Sequence, residues 1–165
     1  MILGLSLAAF TYLHVAISLI AIAAGFVAIV GMIGARRLPA INQLFLVTTA
    51  LTSVTGFLFP FKGVTPGIVI GILSLVILLL ATVALYGRGL AGVWRGTYVI
   101  TAAVALYFNV FVLIVQSFEK VPALRALAPT QSEAPFKIVQ LATLLLFIAL
   151  TVAAFRRFRN EPSLA

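Results

Sequence analysis

The sequence predicts an all-α fold: one polytopic transmembrane helix bundle over residues 1–165, with five spanning helices, the N-terminus outside and the C-terminus inside. Three observations predict it. Of the residues, 64% are hydrophobic and only 8% charged, whereas a soluble domain carries about a quarter charged residues. The charges are segregated, leaving charge-free runs at 1–35, 38–61, 63–87, 96–118 and 138–155, close to or above the about 20 apolar residues that cross a ~30 Å hydrocarbon core. Finally, Ile68 to Leu80 and Leu141 to Leu150 do not alternate apolar and polar residues, as strands of a transmembrane barrel would. A water-soluble globular protein, a disordered chain and a nucleic-acid-binding domain are thereby excluded.

The helices are expected at roughly 8–34, 40–59, 67–87, 94–118 and 136–156. The first run would extend ~52 Å as one helix, which predicts tilt or an N-terminal portion outside the hydrocarbon. It has no basic n-region, so it reads as a retained helix despite the small residues Ala21 and Ala23. Arg36-Arg37-Leu38-Pro39 breaks the first pair of helices, and Phe59 to Gly67 makes a compact turn. Gly87-Arg88-Gly89-Leu90-Ala91-Gly92 is a glycine-rich link without the Lys and Ser/Thr of a phosphate loop. The one long loop covers 119–135. Within it Val121, Leu124 and Leu127 are spaced for a short amphipathic helix on the outer surface.

Sidedness follows from the basic residues, which favour the cytoplasm. Arg36, Arg37, Arg88, Arg95, Arg156, Arg157 and Arg159 fall on one side and act as cytoplasmic topology anchors. Lys62, Lys120, Arg125 and Lys137 fall on the other, with Glu119 and Glu133. Tyr86, Trp94 and Tyr98 are expected in an inner aromatic belt, and Phe59, Phe61, Phe118 and Phe136 in an outer one.

Small and polar residues mark helix contacts in lipid. Each helix has such a stripe at 3.6-residue spacing. The first carries Thr11, His14, Ser18, Ala21, Gly25 and Ala28; the second Thr48, Thr49, Thr52, Ser53, Thr55 and Gly56; the third Gly67, Gly71, Ser74 and Ala81. In the fourth, Tyr98, Ala102, Ala105, Asn109 and Gln116 align, and in the fifth Gln140, Thr143, Phe147 and Thr151. With the N-terminus outside, His14, Thr52, Ser53, Thr55, Asn109, Gln116, Gln140 and Thr143 gather at one depth, beneath the outer loop. They form either an outward-facing polar pocket or a closed hydrogen-bond network that locks the bundle.

Chemistry is limited by supply. The chain has no cysteine, one histidine and three acids, none of the acids inside a span. No catalytic set, metal site or cofactor is expected, since zinc needs three or four ligands and bis-histidine haem two histidines. The expected partners are the lipid bilayer and other membrane-protein subunits or further copies of the chain. Thr55 to Phe61, Ala105 to Phe111, Val121 to Leu124 and Ala128 to Glu133 resemble a small bacterial inner-membrane family with five transmembrane helices. The resemblance implies a multi-pass protein of the bacterial cytoplasmic membrane and brings no activity with it. The functional expectation is a non-enzymatic accessory or scaffold subunit of a membrane complex. The alternative is a small-molecule binder or transporter using the polar pocket; a haem or quinone-site electron-transfer protein, resting on His14, comes third.

Overall fold

The computed structural model describes residues 1–60, 63 and 66–159. Phe61 and Lys62, with Val64 and Thr65 of the turn, and Glu161 lie outside the described residues. The chain is all-helical, with no strand among the described residues: α1 Leu7–Ile33, α2 Pro39–Gly56, α3 Pro66–Thr82 continuing as a π-helical turn Val83–Gly87, α4 Val93–Lys120, α5 Pro122–Leu127 and α6 Ala134–Arg157.

Four of these helices are long and apolar enough to cross a membrane: Leu7–Ile33, Gly67–Gly87, Val93–Lys120 and Ala134–Arg157. The second falls short. It has 18 residues, which is ~27 Å at 1.5 Å per residue. Asn42, Gln43 and its Ser/Thr hydroxyls dilute its hydropathy.

Local sequence sets the boundaries. Ser6 caps α1 by accepting the Ala9 N–H at 3.2 Å, so the first six residues stand outside the helix, closed by a tight Ile2–Leu5 turn. At its other end Arg36 N–H reaches Gly31 O at 2.8 Å and Ala35 N–H reaches Met32 O at 3.0 Å. That is a Schellman closure, with Ala35 in the left-handed position at φ 55°. Pro39, Pro122 and Pro135 occupy first-turn positions of α2, α5 and α6, where a missing N–H costs nothing. α2 stops at Gly56 rather than near residue 59, with Phe57 and Leu58 closing it through shorter-range bonds to Val54 O and Thr55 O.

Successive long helices run antiparallel: His14 near the start of α1 meets Thr55 near the end of α2, and Arg95 at the start of α4 meets Phe155 at the end of α6. The arginines of the chain links therefore share one end of the bundle. Glu119 and Glu133 sit at the other. α2 packs most extensively along α1, and α3 and α6 flank α4.

The core centres on α1 and α4, through Ala24, Ala28, Ile29 and Met32 against Tyr98, Val99, Ala102, Ala105 and Leu106. Close approach explains the small residues. A Cβ on Gly25 would lie 2.6 Å from Leu106 Cδ1 and 2.8 Å from Phe45 Cε2, and one on Gly96 would lie 2.7 Å from Phe155 Cε2. Val47, Leu51, Val54 and Leu58 face outward on α2, as their phase predicts. Two expectations about the aromatic belts are corrected. Tyr98 is fully buried rather than interfacial, and Phe118 is buried, edge-on to Phe136 at 5.3 Å. Tyr98 sits on the inward stripe of α4, whereas Phe118, about 200° round that helix, is covered by its packing on Phe136.

Candidate functional site: polar contacts between the helices

The polar residues of α2 organise the site. Ser and Thr inside a helix can return their proton to the carbonyl one turn back. Thr48 does so to Leu44 O at 2.6 Å, Thr52 to Thr48 O at 2.9 Å, Ser53 to Thr49 O at 3.2 Å and Thr55 to Leu51 O at 2.7 Å. These bonds leave the hydroxyl lone pairs free to accept from neighbouring helices.

His14 Nδ1 lies 2.8 Å from Thr55 Oγ1. Thr55 Oγ1 also lies 2.7 Å from Leu51 O; with its proton on that carbonyl, Thr55 accepts and His14 Nδ1–H donates. In a neutral imidazole this leaves Nε2 as the unprotonated nitrogen. The ring stands edge-on to Phe59 at 5.2 Å, and Phe59 in turn packs on Phe10.

One and a half turns deeper, Asn109 Nδ2 donates to Thr49 Oγ1 at 3.1 Å. Thr49 is 0% exposed and Asn109 8%. Thr49 and Thr55 are six residues apart, or ~9 Å along α2, so the histidine and the asparagine hold the same helix at different levels.

Gln140 on α6 donates Nε2–H to Phe111 O on α4 at 3.3 Å. Its Oε1 is buried without a partner among the described residues, as is the Tyr98 hydroxyl. Each such orphan costs on the order of 1–3 kcal/mol.

The remaining predicted members do other things. Gln116 is exposed and reaches only Glu119, one turn on, at 3.4 Å. Thr143 bonds its own helix at Val139 O, and Thr52 and Ser53 likewise make only intrahelical bonds. Of the eight, His14 and Thr55, Asn109, and Gln140 thus take part in separate α1–α2, α2–α4 and α4–α6 contacts, and the other four bond within their own helices. Thr49, the partner of Asn109, belongs to the inward stripe of α2 but not to the eight gathered residues, because adjacent hydroxyls on α2 differ only by a 100° step in phase.

Two further contacts tie the ends. Arg95 Nη1 donates to Phe155 O at 2.9 Å and to Phe158 O, while the guanidinium lies 5.2 Å from the Phe155 ring. It thereby satisfies carbonyls of the last turn of α6, where the helix dipole favours a cation. Arg88 stacks over Trp94 at 5.3 Å. At the opposite end Gln131, at φ 58°, folds back to donate to Val115 O at 3.1 Å. The Glu133 carboxylate accepts from Thr130 N–H at 3.1 Å, Thr130 Oγ1 at 2.8 Å and Ser132 N–H at 3.0 Å. Desolvation acts to raise its carboxyl, but these bonds outweigh it and hold it below the ordinary value. The short helix anticipated in the outer loop is α5, with Leu127 and Arg125 exposed and Leu124 half-buried.

Two open grooves mark the surface. One of about 350 Å³ runs between α2 and α3, and one of about 240 Å³ between α4 and α6 past Tyr107 and Phe147. Neither is lined by the eight residues above. Among the described residues no three His, Cys, Asp or Glu side chains come together to hold a metal. The fold and site define an all-helical bundle with four helices suited to crossing a membrane, pinned by paired polar contacts. No family model, curated protein or solved structure matches the chain.

Proposed function

We propose that the chain is a non-enzymatic integral membrane protein, an accessory or scaffold subunit of a complex in the bacterial cytoplasmic membrane. In this reading α2 is a fifth span, the N-terminus is outside and the arginine-bearing end faces the cytoplasm. The observation that carries it is the use made of the scarce polar side chains. His14, Asn109 and Gln140 each engage a neighbouring helix, which suits a rigid body more than a reacting centre.

A short α2 does not contradict the fifth span. The hydroxyls of Thr48, Thr52, Ser53 and Thr55 are closed on carbonyls of α2, Thr49 and Asn42 are buried within the bundle, and lipid meets mainly Val47, Leu51 and Val54. Seven arginines near one end match the side on which basic residues are retained.

The test is extraction from the native membrane in mild detergent, followed by a native gel and identification of what migrates with the chain. A stable assembly with other membrane subunits is the expected result. A single small species, unchanged across gentle detergents, would overturn the accessory role. A cytoplasm-only reporter fused to the C-terminus should be active, and an inactive one would reverse the orientation.

A further inference from the structure

The groove between α2 and α3 has a composition that changes along its length. Leu46, Leu75 and Leu79 form its apolar walls, while Gln43, Thr82 and Tyr86 line its arginine-bearing end. Gln43 is one turn into α2, and Tyr86 belongs to the π-helical turn that ends α3. Such turns occur frequently at functional positions. Among the described residues none of these three polar side chains forms a hydrogen bond.

Charge at this end is unbalanced. Arg36 and Arg37 precede α2 and Arg88 follows the π turn, all exposed and without an ion pair among the described residues. The described acids cannot serve: Glu119 is 24 residues from Arg95 along α4, or roughly 36 Å, and Glu133 caps α6 at that same far end. No described acid therefore offsets the charge at this end, which suits an anionic ligand.

We propose that this groove seats one anionic glycerophospholipid, an acyl chain along the leucine walls and the phosphate among Gln43, Tyr86 and the flanking arginines. The inference rests on the membrane placement proposed above and not on the accessory role. The native gel and the lipid experiment therefore fail independently.

The experiment is native mass spectrometry of the full-length protein in mild detergent, offered equal amounts of phosphatidylglycerol and phosphatidylcholine. Preferential retention of phosphatidylglycerol is expected. Combining Arg36→Gln with Arg88→Gln should weaken it roughly fivefold per arginine removed, with phosphatidylcholine unchanged. Leu79→Trp and, on the opposite wall, Val47→Trp replace outward-facing side chains, 64% and 50% exposed. Each should lower retention without shifting thermal unfolding, and either one that remains folded suffices. Equal retention of the two lipids would overturn the proposal. Loss through the arginine variants alone would also overturn it, since the charge would then act without the groove. Displacement by excess inorganic phosphate would show a free-phosphate site instead.

Discussion

The bond between Asn109 and Thr49 makes a prediction whose sign pattern depends on details of the site. Removing the hydroxyl with Thr49→Val keeps the shape but leaves the Asn109 amide donor buried without its acceptor. With Asn109 only 8% exposed and the bond at 3.1 Å, the cost should be about 1–2 kcal/mol. Removing the amide with Asn109→Leu leaves a hydroxyl that can turn to Phe45 O, one turn back, as Thr48, Thr52 and Thr55 do on their own carbonyls. That change should cost only ~0.5 kcal/mol. The double variant should resemble Asn109→Leu, giving a coupling equal to the Thr49→Val cost, about 1–2 kcal/mol, at the upper end of the range for interhelical bonds in membranes. Reversible unfolding in mixed micelles, followed by circular dichroism for all four proteins, gives the cycle. Additivity within about 0.3 kcal/mol, or a larger loss for Asn109→Leu than for Thr49→Val, would refute the reasoning.

Other contacts give further expectations. Gly25→Ala should lose about 1–3 kcal/mol, because its Cβ meets both Leu106 and Phe45 below 3 Å. Gly71→Ala should lose less, since its neighbour is the outer edge of Phe57, which is 38% exposed and free to swing; equal thermal shifts would contradict this. Arg95→Met should destabilise by about 1–2 kcal/mol and increase hydrogen exchange in the last turn of α6, with Arg95→Lys intermediate. Unchanged exchange there would mean the cap does not hold the helix end. Glu133 has a lowered folded-state pKa, so its contribution is full above its unfolded value and is lost as pH falls through the folded one. Amide protection at Thr130 and Ser132 should follow that loss on acidification, and Glu133→Gln should abolish the pH dependence.

Much of the architecture was legible in the sequence because charge and proline punctuate it. The charge-free runs place the long helices to within a few residues, and Pro39, Pro122 and Pro135 mark first turns. The inward stripes of α1 and α4 are visible as Ala21, Gly25 and Ala28 and as Ala102, Ala105 and Asn109, all buried. Pairing was not legible. Thr52 and Ser53 have the same chemistry as Thr49, and only the azimuth of α2 against α4 decides which one meets Asn109. The role of Arg95 was half visible: counting charges places it at one end, but only the antiparallel register of α4 and α6 brings it to the Phe155 and Phe158 carbonyls. The π turn at Val83–Gly87 left no signal in composition or spacing.

In the five-span arrangement, the hydroxyl-rich α2 has a consequence for how the protein is made. It is the segment least able to enter lipid unaided, and its buried partner Asn109 lies 60 residues later in the chain than Thr49. At 5–20 residues per second, synthesis separates the two by roughly 3–12 s. Throughout that interval α2 can rest only on α1, against which it packs most extensively, and on α3 once that helix has been made. Ribosome-bound chains stopped before and after residue 109 should differ in protease access to α2; equal protection would mean that α1 and α3 secure it without α4. The first two helices would then enter the bilayer as a hairpin that waits, half-assembled, for the fourth.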